Sequence, residues 1–360
     1  MALAPLSGHR DARLRLARAA AQGQLPQALL FTGPAGVGRQ RLALWLAQLL
    51  LCEKPADEPC GVCGPCRKVL DLAHPDVHWI VPIPRPKAAE PAKQVEEAAE
   101  SIAAVMNERR ESPLYQALDG MAIHGIASVR LVLREAALSS VEARRRIFII
   151  GDAERLVSQE ASPEAANALL KLLEEPPVDA VIILTAADAK RLLPTIRSRT
   201  VPLRLHPLAT ADVRGFLELH GNVPARELER RVEAAQGSIG AALWLDDSLS
   251  AARDAAAGLL EDVTKGPGAR LERALRQGPW AARGEFTAML DALADQLLSA
   301  ARVAVNAPRR GSGAGPLAGK DPAALLEAAR HVASAREAAQ DNVNPQLLLA
   351  VLAGQLAETL

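Results

Sequence analysis

The chain has 360 residues, which is too many for one small domain, so length alone predicts two or three domains. Its formal net charge is zero, with 42 basic and 42 acidic residues. This balance argues against an autonomous, high-affinity DNA-binding protein, because such proteins usually carry a basic surface. Aromatic residues make up only 2% of the chain, and its many Ala and Leu residues favour helices.

The sequence shows no segment suited to a membrane or to export. Its most apolar stretch, Leu42 to Leu51, is about half the ~20 residues that span a bilayer. Residues 1–13 contain no apolar run of signal-peptide length. We therefore expect a cytoplasmic protein without a membrane partner.

Predicted strands and helices alternate over about the first 205 residues. Helical patterns at 41–51 and 126–138 alternate with short apolar runs. Such runs are typical of parallel strands that are covered on both faces. This alternation predicts an α/β domain with a mainly parallel sheet between helices. The runs predict buried strands at 28–32, 78–81, 147–150 and 181–184, and an alternating pattern predicts an outer strand at 201–205.

Residues 82–120 interrupt this alternation. They begin with four prolines within ten residues and continue with a polar helical stretch at about 93–111. Proline fixes φ and removes a hydrogen-bond donor, so the first part is predicted to be a loop. We interpret the whole segment as a surface insertion.

Strand patterns stop after His206-Pro207, and the rest of the chain is predicted to be helical. Residues 208–245 are predicted to form a small helical bundle, and residues 246–360 a further all-α region. The expected domains are therefore 1–207, 208–245 and 246–360.

A glycine-rich segment joins the first strand to the helix that follows. Gly33, Gly36 and Gly38 belong to it, and Arg39 and Gln40 come next. In the phosphate-binding pattern G-x-x-x-x-G-K-[ST], Lys contacts the terminal phosphates and Ser or Thr binds Mg²⁺. Arg and Gln replace both residues here, which predicts a degenerate nucleotide loop that binds ATP weakly or not at all.

A second acidic site is also altered. A working ATPase of this type ends a second strand with Asp-Glu, for Mg²⁺ and water activation. Gly151 stands in the place of that Asp and Asp152 in the place of that Glu. A shifted register could bring Asp152 or Glu154 to the metal, although a shift of one residue turns a strand side chain to the other face.

The four cysteines of the chain lie within fifteen residues, as Cys52, Cys60, Cys63 and Cys66. Four thiolates this close suit a tetrahedral Zn²⁺ ion, and disulfides are disfavoured in the cytoplasm. Because four cysteine ligands leave no open position on the metal, we predict a structural zinc module at 52–66 rather than a catalytic centre.

Several motifs together resemble the clamp-loader branch of the AAA+ family. They are the glycine-rich loop, the four-cysteine module, Ala168-Leu-Leu-Lys-Leu-Leu-Glu-Glu-Pro-Pro177, Leu184-Thr185 and Pro194-Thr-Ile-Arg-Ser-Arg199. A degenerate loop with a retained Ser-Arg turn is similar to the delta-prime class of this branch rather than to its ATPase subunits. Thr200 stands where the family usually has Cys, and we expect little effect from that change.

The resemblance implies an AAA+ core, a helical lid and a helical collar that joins a five-subunit ring. It implies that Arg199, next to Ser198, acts as an arginine finger at the ATP of a neighbouring subunit. The implied partners are the ATPase subunits and delta of the clamp loader, the sliding clamp, and primer–template DNA through the assembly. The implied function is a non-catalytic stator subunit of a DNA polymerase III holoenzyme that helps load the clamp.

Two other functions stay open at this point. An active AAA+ ATPase subunit would require Arg39 and Gln40 to replace Lys and Thr, and ATP turnover by the chain would reveal it. A zinc-dependent nucleic-acid-binding protein is disfavoured by the neutral charge, and a salt-dependent affinity for DNA would favour it.

Overall fold

The chain forms two compact units, Met1–Trp244 and Leu245–Leu360, and each unit has its own hydrophobic core. Each is described by itself below. The computed structural model describes residues 3–114, 122–157, 163–244, 247–278, 283–306, 316–339 and 343–360.

A five-stranded parallel sheet forms the centre of the first unit. Every residue of its third and fourth strands is buried, because helices cover both faces. The predicted fold class, a parallel α/β core followed by helical regions, is confirmed. The strands are β1 (Ala28–Thr32), β2 (Val77–Ile80), β3 (Arg146–Ile150), β4 (Ala180–Ala186) and β5 (Val201–Arg204), in the order β2-β3-β4-β1-β5.

Ten α-helices accompany this sheet in the described part of the first unit. The first of them was not predicted from the sequence, and neither was the third, which lies in the cysteine-rich segment. They are α1 (Arg10–Ala21), α2 (Arg39–Leu51), α3 (Gly64–Leu70), α4 (Pro91–Glu111), α5 (Ile126–Ala137), α6 (Pro163–Glu174), α7 (Pro194–Arg197), α8 (Thr210–His220), α9 (Ala225–Ala235) and α10 (Ile239–Leu243).

Helix α4 is the polar stretch that was interpreted as part of a surface insertion. One face of it is buried in the core of the unit, through Val95, Ala98, Ile102 and Met106. These residues recur at helical spacing, so the helix has an apolar stripe despite its many charges. The segment is therefore packed onto the domain rather than lying wholly on its surface, and residues 115–121 lie outside the described part.

An antiparallel bridge joins the two ends of this segment. The N–H of Ile83 donates to the carbonyl of Ile123 at 3.1 Å, and the N–H of Ile123 donates back at 2.9 Å. Both residues are buried. The bridge therefore brings the chain back to its starting point before α5 begins.

In the described residues of the second unit, all regular secondary structure is helical. Its buried side chains are mainly Ala and Leu, which pack helices closely. None of the helices in the described ranges is long and apolar enough to cross a membrane. The helices are α11 (Asp247–Lys265), α12 (Pro267–Arg276), α13 (Arg283–Asn306), α14 (Pro322–Ala338) and α15 (Pro345–Thr359).

Candidate functional site

The glycine-rich loop begins where β1 ends and continues directly into α2. Gly33, Gly36 and Gly38 have φ angles of 153°, 70° and 102°. Residues with a Cβ atom rarely adopt such angles. A Cβ atom at Gly33 would lie 2.6 Å from the carbonyl oxygen of Leu205. The turn therefore packs tightly against the chain that leaves β5.

Arg39 and Gln40, which replace Lys and Thr of the working pattern, both contact Asp152. Nη1 of Arg39 donates to the carbonyl of Gly33 at 2.9 Å, and Nη2 lies 3.3 Å from Oδ1 of Asp152. Nε2 of Gln40 donates to Oδ2 of Asp152 at 3.0 Å. Since Arg39 is only 8% exposed, its guanidinium joins the loop to the end of β3 from within the protein.

Gly151 provides the space that the side chain of Gln40 occupies. A Cβ atom at position 151 would lie 2.8 Å from Cδ and Oε1 of Gln40. Nε1 of Trp79 donates to the same Oε1 at 3.1 Å. The amide of Gln40 is thus held at both ends, and Gly151 is the residue that leaves room for it.

Asp152 faces the loop although strand alternation predicts that it turns away. It lies beyond the end of β3, in a turn with a φ of 51°, and its N–H donates to Oγ1 of Thr185 at 3.0 Å. The alternation of strand side chains no longer applies there. Both carboxylate oxygens of Asp152 are bound by Arg39 and Gln40.

The segment that opens α10 packs directly on the glycine-rich loop. The N–H of Gly240 donates to the carbonyl of Gly36 at 3.0 Å, and Oγ of Ser238 donates to the carbonyl of Ala35 at 2.9 Å. A Cβ atom at Gly36 would lie 2.5 Å from Oγ of Ser238 and 2.9 Å from Cα of Gly240. The two backbones are therefore in direct contact on this side of the loop.

Two titratable groups lie close to the turn that carries Asp152, a buried His124 and a half-buried Glu154. Nε2 of His124 lies 2.6 Å from the carbonyl of Gly151, so that nitrogen carries the proton, and burial lowers the pKa of His124 to about 4. Burial raises the pKa of Glu154, although the N–H of Ala187 donates to its Oε1 at 2.9 Å and partly opposes the shift. The site thus holds a neutral histidine beside the paired carboxylate of Asp152.

The four cysteines lie together at the start of α3. Their sulfur atoms are all within 4.8 Å of one another. Tetrahedral Zn²⁺ with Zn–S bonds of about 2.3 Å places its sulfurs about 3.8 Å apart. The donor set fits a metal ion, and Cys52, Cys60, Cys63 and Cys66 are the residues that could hold it.

Backbone amides already point at these sulfurs. The N–H of Cys60 donates to Sγ of Cys52 at 3.3 Å, and the N–H of Cys63 donates to Sγ of Cys60 at 3.4 Å. Hydrogen bonds from the backbone N–H groups of Val62 and Cys63 lower the pKa of Cys60 to about 6, whereas burial raises the pKa of Cys66. A bound cation would stabilise the thiolate of Cys66 as well, because a metal deprotonates the thiols that coordinate it.

Arg199 lies at the surface just after α7. Its Nε donates to Oε1 of Glu174 at 2.7 Å, and its Nη1 lies 3.1 Å from the carbonyl of Thr195 and 3.3 Å from Oγ of Ser198. The next residue, Thr200, is buried and donates from Oγ1 to the carbonyl of Ile196 at 3.1 Å. The residue that replaces the usual Cys therefore helps to fix the turn.

The structure thus brings the glycine-rich loop and Asp152 together, and it places the cysteines and Arg199 at separate positions. Sequence reasoning missed the contacts of Ser238 and Gly240 with the loop, and the roles of His124 and Glu174. The sequence Gly237-Ser-Ile-Gly240 contains nothing that indicates a partner about 200 residues away.

Comparisons with known proteins identify relatives of this chain. A family model described as DNA polymerase III, delta subunit matches residues 8–209. The chain is similar to subunit delta' of Bacillus subtilis, with 29% identity over 185 residues, and of Pseudomonas aeruginosa, with 30% identity over 222 residues. These alignments cover 51% and 60% of this chain, and 44% and 55% of the relatives.

The chain is also similar to subunit gamma/tau of Mycobacterium tuberculosis, with 31% identity over 191 residues. That alignment covers 52% of this chain and 26% of the relative. The chain therefore spans about half the length of the delta' relatives, and less of the gamma/tau relative. The resemblance to the delta-prime class is confirmed, and since the family model covers more than half of the chain, the chain belongs to the DNA polymerase III delta subunit family of clamp-loader subunits.

Proposed function

We propose that this chain is a non-catalytic subunit of the DNA polymerase III clamp loader, which helps to load the sliding clamp onto primed DNA. The observation that carries the proposal is the state of the glycine-rich loop. Arg39 and Gln40 bind Gly33 and Asp152, and the segment at Ser238–Gly240 packs on Gly36. The groups that a working site offers to phosphate and Mg²⁺ are here bound to the protein itself.

Each of these contacts opposes ATP hydrolysis for a physical reason. The guanidinium of Arg39 is a rigid fork, unlike the compact ammonium of Lys, and it already has two acceptors. Gln40 supplies an amide in place of the hydroxyl that binds Mg²⁺. Both carboxylate oxygens of Asp152 already accept hydrogen bonds from these side chains, so binding a metal would require breaking both contacts.

ATP hydrolysis by the purified chain, with Mg²⁺ and primed DNA, tests this part of the proposal. We expect no turnover above that of a buffer blank, and weak or undetectable binding of ATP. The matched variant is Arg39→Ala, because a working loop would lose activity when Arg39 is removed. Turnover by the chain that disappears in Arg39→Ala would contradict the proposal.

We further propose that Arg199 acts in trans at the ATP of a neighbouring ATPase subunit. It is a surface arginine on a turn fixed by Ile196, which is fully buried, and Thr200. An arginine that stabilises charge on a transferred phosphoryl group accelerates other enzymes by about 10³–10⁵. In this role Ser198 contributes by accepting a hydrogen bond from Arg199.

Arg199→Ala in the reconstituted assembly tests this role. We expect lower ATP turnover, limited to the site that this chain completes, and unchanged subunit composition by mass measurement. Arg197→Ala is the matched control, because Arg197 is exposed in the same turn. If ATP turnover is unchanged in Arg199→Ala, or is lowered equally in both variants, the proposed trans role of Arg199 is wrong.

The remaining parts of the proposal concern the metal, the domains and the partners. We propose that the four cysteines hold a structural zinc ion, that helices α8–α10 form a lid and that residues 246–360 form the collar. The proposed partners are the ATPase subunits and delta in a five-subunit ring, together with the sliding clamp and primer–template DNA. The proposed location is the cytoplasm.

An active ATPase subunit is the second candidate. The observation in its favour is the similarity to the gamma/tau subunit of Mycobacterium tuberculosis, at 31% identity. The ATP measurement described above separates the two candidates, because an ATPase subunit requires a loop that binds Mg²⁺ and the terminal phosphate.

A further inference from the structure

Glu174 makes the strongest contact of the proposed arginine finger. Its Oε1 lies 2.7 Å from Nε and 2.5 Å from Nη2 of Arg199. Charge-assisted contacts of this length are among the stronger hydrogen bonds of proteins. One side of the guanidinium is therefore held by this carboxylate.

The other side of the guanidinium is held by the turn that carries Arg199. Nη1 contacts the carbonyl of Thr195 and Oγ of Ser198. All three nitrogens of the guanidinium thus have a partner within the chain. Because the partners lie on two different elements, they fix the plane of the group as well as its position.

Glu174 is attached to a rigid part of the fold. It is the last residue of α6, where the preceding Leu172 and Leu173 are buried in the core. On the other side, α7 is held by Ile196 and by the hydrogen bond from Thr200. Two elements packed into the same core therefore set the distance between the carboxylate and the arginine.

The pair contributes little to folding. The side chain of Arg199 is 35% exposed and that of Glu174 is 47% exposed. Exposed ion pairs are weakened by solvent screening and commonly add almost nothing to stability. Any effect of this pair is therefore expected in the orientation of the Arg199 guanidinium rather than in the stability of the fold.

We propose that Glu174 is the positioning residue of Arg199, and that it holds the guanidinium in the orientation needed at the phosphates of a neighbouring nucleotide. This inference depends on the proposed trans role of Arg199. Glu174 does not contact the nucleotide itself. It acts by reducing the number of orientations that Arg199 samples before the neighbouring subunit arrives.

The test compares Glu174→Ala, Glu174→Gln and the control Glu175→Gln in the reconstituted assembly, each with and without Arg199→Ala. Glu175 is the adjacent exposed acid and takes no part in the contact. Misplacing a reacting group by about 1 Å can cost about 100-fold in rate, so we expect Glu174→Ala to lower kcat by about ten-fold. The KM for ATP should be unchanged, since only the transition state loses an interaction.

Three further results complete the test. Glu174→Gln, which keeps an acceptor oxygen, should recover part of the lost kcat, and Glu175→Gln should equal the unaltered chain. In the Arg199→Ala background, Glu174→Ala should have no additional effect. A rise in kcat on removing Glu174, a change confined to KM, or full additivity with Arg199→Ala would overturn the positioning role.

The two proposals fail in different ways. If Arg199→Ala leaves turnover unchanged, the trans role fails and the role of Glu174 falls with it. If Arg199→Ala lowers turnover and Glu174→Ala does not, only the inference about Glu174 is wrong.

Discussion

The buried His124 gives a prediction about pH. Its pKa is about 4 in the folded chain, against about 6.5 for an exposed histidine. Between these values the unfolded chain binds a proton that the folded chain does not. The stability contributed by the neutral side chain is therefore complete above about pH 6.5 and is lost progressively as pH falls toward 4.

The variant His124→Gln should reduce this dependence, because Gln does not titrate and can still donate to the carbonyl of Gly151. Urea unfolding at several pH values measures the difference between the two proteins. We expect the unaltered chain to lose up to about 3 kcal/mol more than the variant between pH 7 and 4. Parallel curves for the two proteins would show that His124 is not held neutral.

At the glycine-rich loop, the mismatch at Arg39 and Gln40 is visible from spacing alone, because the pattern states which residue each position requires. The orientation of Asp152 was not predictable in the same way, since it depends on a positive φ just beyond the strand. The contacts of Gly36 with Ser238 and Gly240 depend on tertiary folding, which local pattern does not encode.

At the scale of elements, strands were easier to predict than helices with mixed composition. Continuous apolar runs located the buried strands to within a few residues, since the strands of a sheet covered on both faces are apolar at nearly every position. Helix α4 was underestimated because charged residues surround its narrow apolar stripe. Helix α3 was missed because it starts inside the cysteine-rich segment, where turn residues and possible metal ligands dominate the pattern.

The metal site at α3 gives a prediction about this element. Cys60→Ser removes one of four ligands, so we expect loss of bound zinc and a decrease of about 3 kcal/mol in the free energy of unfolding. Metal content by mass spectrometry and thermal unfolding of the same samples measure both effects. Val62→Ser is the control, because Val62 is 75% exposed in the same loop and offers no ligand.

The unaltered chain, purified from cells without chelators, should contain about one zinc ion per molecule. Its absence from such a preparation would contradict the zinc assignment. Equal loss of stability in Cys60→Ser and Val62→Ser would show that the loop, rather than a metal, accounts for the effect.

The whole molecule consists of two units with separate cores. The first core surrounds the sheet, and the second is built from the helices of residues 245–360. The sequence predicted the change from mixed to purely helical structure, because strand patterns end near residue 207. The sequence also predicted a domain boundary at residue 207. The first compact unit extends past this position to Trp244, so α8–α10 belong to that unit. The division of that unit into core and lid stays a prediction.

Separate cores predict separate folding. We expect fragments 1–244 and 245–360 each to be folded when produced alone, and the second fragment to be almost wholly helical by circular dichroism. Each should unfold cooperatively in urea. A fragment 245–360 without cooperative unfolding would show that its core depends on the first unit.

The bridge between Ile83 and Ile123 has a consequence for how this part of the chain can change in evolution. A segment whose ends are joined can gain or lose residues at small entropic cost, about 0.6 kcal/mol for each doubling of its length. The buried stripe of α4 imposes a different requirement, because it must remain apolar wherever it contacts the core. We therefore expect the number of residues between Ile83 and Ile123 to vary among related proteins. The spacing of the four buried apolar residues of α4 should stay constant.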